Sequence, residues 1–173
     1  MPRTPARVCF PMPNPPDDEM RRLLQAPRRA PSSTEHLGVE FQAFCHSRRR
    51  PYLAYARMRA TATPMAARWV ETAFTELAGL WPKALRTDSP SAVAWYVLGS
   101  VIAAHHRQDG DLIQHVWQRR QTDAVLLHHR LGLPAETAAE LMGIGAVDIA
   151  VLLTSARREM RAAGGTHRRA LRP

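Results

Sequence analysis

Between Glu35 and Ala163 apolar residues return every three or four positions, and proline or glycine cuts the series into runs. That spacing puts them on one face of a helix, and the breaks set the helix lengths. Thr63-Pro64 opens one run: Thr63 reads as an N-cap with proline in the first helical position. Trp69, Val70, Ala73, Phe74 and Leu77 then form an apolar stripe that ends near Gly79 and Pro82. Ser89-Pro90 repeats the start signal, and Ala94, Trp95, Leu98, Val101 and Ile102 carry a second stripe toward His105, His106 and Arg107. Upstream, Phe41, Phe44, Leu53 and Ala56 recur at helical spacing, with Pro51 expected to kink or restart that helix. Trp69, Phe74 and Trp81 are expected in the core. The last third predicts a helix over 119–131 closed by Gly132, a short one over 134–142 closed by Gly143, and a long one over 146–163 stopped by Gly164-Gly165. The expected fold is all-α: two small helical domains joined by a short linker, the second a helix-turn-helix.

The flanks differ in composition. Eight prolines fall in the first 31 residues among Arg and Ser, so residues 1–34 read as a weakly ordered tail with a possible short helix at "DDEMRRLLQA". The first domain is placed at 35–107, the linker at 108–118, the second domain at 119–163 and a basic tail at 164–173. The net charge of +9 favours a polyanionic partner. All basic residues but Lys83 are arginine, which leaves genome composition as a second reading of that charge. Cys9 and Cys45 form no regular frame, and no apolar run has the length of a signal or a membrane span, so a cytoplasmic, membrane-free protein is expected. No nucleophile, acid–base pair or phosphate loop stands out, which argues against an enzyme. The His105/His106 and His128/His129 pairs and His46 beside Cys45 lack metal-ligand spacing, so neither metal nor cofactor is expected.

"FQAFCHSRRRPYLAYARMR", "AARWVETAFTELAGLWP", "AWYVLGSVIAAHHR" and "DAVLLHHRLGLPAETAAELMGIGAVDIAVLLTSARREM" occur in that order over residues 36 to about 163. In order and spacing they resemble the promoter-melting, polymerase-docking, strand-gripping and fourth-region blocks of sigma factors of the extracytoplasmic-function group, sigma-70 family, actinobacterial type. The resemblance implies a partner in RNA polymerase core, held at its β′ clamp helices, a second in promoter DNA, and a possible protein regulator or anti-sigma factor. It assigns polymerase contact to Ala67, Arg68, Glu71, Thr72 and Glu76. The family's usual acidic residues and glutamine are replaced there by Ala67, Arg68 and Glu71. It assigns the opened strand to Trp95, Tyr96, His105, His106 and Arg107, where an aromatic face stacked on a base is worth about 1–3 kcal/mol.

The last helix departs furthest. Ile149, Leu153, Ala156 and Met160 follow 4, 3, 4 spacing and are expected to face inward. Val147, Asp148, Ala150, Val151, Leu152, Thr154 and Ser155 are then left for the outer surface, where a groove reader would carry Arg, Lys, Asn or Gln. Thr154, Ser155, Arg157, Arg158 and Arg161 remain as DNA contacts, the arginines suited to backbone phosphate. Ala150, Val151 and Leu152 form an apolar patch of the kind that meets protein. Two functions follow as expectations: a sigma-like initiation regulator that binds polymerase core and promoter DNA, or an interaction module on the same scaffold that binds another transcription protein through its last helix without recognising promoters.

Overall fold

The computed structural model describes residues 38–60, 62–105 and 112–170, the side chains of 112–118 and 162–170 excepted. The expected N-terminal tail, its short helix, and His106 and Arg107 lie outside the described residues. The fold is all-α, as expected, with no strand among the described residues. Helix α1 (Val39–Arg59), α2 (Thr63–Ala84) and α3 (Pro90–His105) pack side by side. Helix α4 (Leu112–Val125) runs into one π-helical turn (Leu126–Arg130); α5 (Ala135–Met142) and α6 (Ala146–Ala170) follow.

Aromatic rings fill the space between the first three helices. Phe41 and Phe44 of α1 meet Trp81 of α2 with ring centroids 5.1 and 4.9 Å apart. Tyr52 lies between Phe74 and Trp95 at 6.0 and 5.6 Å, and Tyr55 lies 4.7 Å from Trp95. Each such pair is worth about 0.5–1.5 kcal/mol beyond its buried area. The same core continues without a break through Ala124 and Leu127 of the fourth-helix segment, Leu141 and Met142 of α5, and Ile149, Leu152 and Leu153 of α6.

Local chemistry explains where the elements start and stop. The Ser89 Oγ accepts the Ala92 N–H at 3.1 Å and so caps α3, as Ser89-Pro90 led one to expect. Helix α2 begins one residue before its expected start: Ala62 is the N-cap, and Thr63 is already helical. Pro51 does not restart the helix: α1 runs through it unbroken. The carbonyl that a proline at this position leaves without its helical donor belongs to Ser47, an exposed residue, so water can satisfy it. Residues 112–118, placed in the linker, are helical, and Leu112, Ile113, Val116 and Trp117 themselves follow helical spacing. Helix α6 continues through Gly164-Gly165, where two glycines cost about 1 kcal/mol each relative to alanine without ending it.

Gly143 ends α5 in the left-handed region, φ 65°. Ile144 N–H donates to the Ala139 carbonyl at 3.0 Å and Gly143 N–H to that of Glu140 at 3.3 Å, which satisfies the helix end. The turn then presses on the start of α3: a Cβ on Gly143 would stand 2.1 Å from Ala92 N and 2.5 Å from Ser89 Oγ. Backbone angle and space both require glycine, and the contact joins α5 to α3. Gly143→Ala is therefore expected to lower unfolding stability by more than the roughly 1–2 kcal/mol of a left-handed alanine alone, read from urea denaturation. A loss no larger than that would show that the α3 contact carries no weight.

Candidate functional site

A carboxyl group sits where the two halves of the chain meet. Asp123 of α4 is 3% exposed. Tyr55 Oη of α1 donates to its Oδ1, and Trp95 Nε1 of α3 donates to its Oδ2 at 3.3 Å. Burial raises the Asp123 pKa above the ordinary carboxylate value; hydrogen bonds from Tyr55 and Trp95 and the charges of Arg119 and Arg59 oppose that rise. Burial, and then the facing carboxylate, push the Tyr55 phenol well above its ordinary value, so it stays a donor at neutral pH. One turn before Asp123, Arg119 lays its guanidinium against the buried backbone of Gly99, where a Cβ would stand 2.1 Å from Nη2. Nearer the surface Arg48 of α1 donates to Glu140 of α5 at 2.8 Å and to Ser91 of α3 at 3.4 Å. Sequence reading missed Tyr55 and Asp123. The available signal was the register of Asp123, four residues before Leu127 on the inward face of its helix.

This geometry corrects the assignment of Trp95. It is 7% exposed, ringed by Tyr52 and Tyr55, with its indole N–H spent on Asp123, so no face is open to a base. Tyr96 is half-buried against the core edge. His105 is exposed, its Nδ1 2.9 Å from the Val101 carbonyl and its ring 5.5 Å from that of Trp69. On α2, Ala67, Arg68, Glu71 and Thr72 share an exposed outer face, while Glu76 is half-buried. Glu71 is engaged by Arg49 of α1 through both terminal guanidinium nitrogens. Burial lifts the neighbouring Cys45 thiol to about 11, which keeps it neutral at physiological pH.

Helices α5 and α6 cross at 109° about a tight turn. Ile149, Leu153 and Ala156 face inward as expected, but two residues of α6 do not behave as the 4, 3, 4 pattern requires. Leu152, assigned to the outer patch, is 3% exposed and belongs to the core, since the buried stripe is two residues wide at Leu152-Leu153. Met160, expected inward, is 57% exposed, and Arg157, Arg158, Glu159 and Arg161 around it are exposed as well. Asp148 stays exposed but turns back, its Oδ2 accepting the Gly145 N–H at 3.1 Å. What remains outward is a shallow groove of about 500 Å³ lined by Ala146, Val147, Ala150, Val151, Thr154, Ser155 and Arg158, with Arg157 and Arg161 exposed nearby. At the π-helical turn His128 lies with Nδ1 2.8 Å from the Leu133 carbonyl, which fixes the Nδ1–H tautomer, and its ring is 4.7 Å from that of His129. Among the described residues no His, Cys, Asp or Glu side chains gather in a group able to hold a metal ion, and no single helix is long and apolar enough to cross a membrane.

Two measurements probe the carboxyl node. Tyr55→Phe leaves one buried carboxylate oxygen without its donor and is expected to cost about 2–3 kcal/mol of stability in denaturant titration. With a raised native pKa, Asp123 keeps its proton in the folded state after the unfolded chain, titrating near 3.8, has lost it. Stability therefore falls as pH rises from 3.8 to the native value, with a slope of up to about 1.4 kcal/mol per pH unit. Asp123→Asn is expected to remove that slope; superimposable stability–pH curves for the two proteins would refute the assignment. No family model matches the chain, and neither a curated protein nor a solved structure matches it.

Proposed function

We propose that this chain is a sigma-like regulator of transcription initiation that docks on RNA polymerase core through the outer face of α2, and whose rear helix-turn-helix, α5–α6, meets protein instead of base edges. The order of sequence blocks supports the first part, together with the exposure of Ala67, Arg68 and Thr72 on one face of α2. The observation that carries the second part is the outward surface of α6. Val147 and Val151 are 76% and 47% exposed, and no Arg, Lys, Asn or Gln stands on that helix before Arg157. Bidentate base recognition needs those side chains in the major groove, and valine supplies at most a thymine-methyl contact. Arg157, Arg158 and Arg161 lie farther along, where arginine reaches phosphate without specifying sequence.

The closed node bears on the same reading. While Trp95 is held by Asp123, the strand-gripping role that the resemblance assigns to it is not exercised, so promoter opening by this chain requires α3 to part from α4 first. Polymerase contact requires no such movement, because the α2 face is already at the surface. An anti-sigma factor or another transcription protein is a partner of the kind α6 would take, and promoter DNA is held by backbone contact alone.

The test is capture of purified core polymerase by the full chain in the absence of DNA. Core is expected to bind; a double substitution Ala67→Arg, Thr72→Arg on the exposed α2 face is expected to weaken capture at least tenfold with the thermal melt unchanged. Footprinting with chain alone is expected to show salt-sensitive protection without sequence preference. Failure to bind core, or a defined footprint at low micromolar protein, would each contradict the proposal.

A further inference from the structure

The groove on α6 has a shape and charge that select among occupants. Val147, Ala150 or Val151, Thr154 and Arg158 follow one another at intervals of three and four, so the groove runs along the helix, apolar at its N-terminal end and cationic at its C-terminal end. Asp148, the one acidic residue of that first stretch, is turned to the Gly145 amide. An apolar helix face with an acidic end, laid antiparallel, complements this surface.

The chain contains such a segment. In "DDEMRRLLQA" a helical reading places Asp17, Met20, Leu23 and Leu24 on one face, with Arg21 at its edge and Arg22 on the opposite side. From Asp17 to Leu24 is seven residues, the same interval as from Val151 to Arg158, so Leu24 meets Val151 when Asp17 meets Arg158. Leu24 stands 14 residues before Gly38, where the described chain begins, and 14 extended residues span up to about 46–50 Å. A body of this size has a radius of gyration of roughly 14 Å, so the tether reaches any part of its surface.

We propose that residues 17–24, which lie outside the described residues, dock antiparallel on the outer groove of α6, with Leu23 and Leu24 on Ala150 and Val151, Met20 over Thr154 and Ser155, and Asp17 on Arg158. The proposal rests on the reading of α6 as a protein-binding face. It makes the N-terminal segment an internal occupant that an external partner must displace.

The test places the photocrosslinker p-benzoylphenylalanine at position 151 of the full chain and maps products by mass spectrometry at low micromolar concentration. The expected product joins position 151 to the peptide containing residues 17–24 within one chain. Arg158→Glu is expected to lower its yield at least fivefold, and Asp17→Arg in the Arg158→Glu background to restore it. Crosslinks between two copies, crosslinks only to other segments, no crosslink, or a yield indifferent to both charge reversals would overturn the proposal. Capture of core polymerase by the same labelled chain reads the α2 assignment separately, so loss of either result is attributable to its own surface.

Discussion

A carboxylate removed from water must be paid for by the groups around it, and Asp123 draws those groups from both halves of the chain. Tyr55 comes from α1 and Trp95 from α3, while the acid itself is on α4. Because an unsatisfied buried oxygen is costly, the three helices have one favourable mutual arrangement, and apolar contacts alone would not define it so narrowly. The Gly143 turn against α3 and the Arg48–Glu140 bridge then fall along the same seam. Of these, the partly exposed bridge contributes least, since water and salt screen its glutamate.

That arrangement decides which surfaces are open to partners. It spends Trp95 on the interior and leaves the outer faces of α2 and α6 at the surface. The two faces differ in chemistry: α2 presents Arg68 and Thr72 among small residues, and α6 presents valine and alanine that run into arginine. A protein that met nucleic acid chiefly by base readout would have the reverse distribution, with polar, fork-shaped side chains at the start of α6 and an aromatic ring free on α3.

Much of the architecture was legible in the sequence because helix punctuation is local chemistry. Ser89-Pro90 and Gly143 marked an actual start and an actual stop, and the stripe from Trp69 to Leu77 is buried as its spacing required. Long-range chemistry was not legible. Nothing near Trp95 in sequence announces that an aspartate 28 residues on will claim its indole N–H. Leu152 was misplaced because a single 4, 3, 4 line is narrower than the face that a helix packed on several neighbours buries, and Met160 because spacing does not say how far along a helix burial continues. The helix start at Leu112 was missed because polar residues around Gly110 drew attention from the apolar spacing just beyond them.

Hydrogen exchange of the Trp95 indole N–H, followed by two-dimensional NMR, tests most directly whether the carboxyl node holds the halves as one body. The account predicts exchange so slow that its free energy equals that of global unfolding, and marked acceleration in Asp123→Asn relative to the indoles of Trp69 and Trp81. Exchange of Trp95 at the rate of a solvent-exposed indole, in a protein whose Trp69 remains protected, would contradict it.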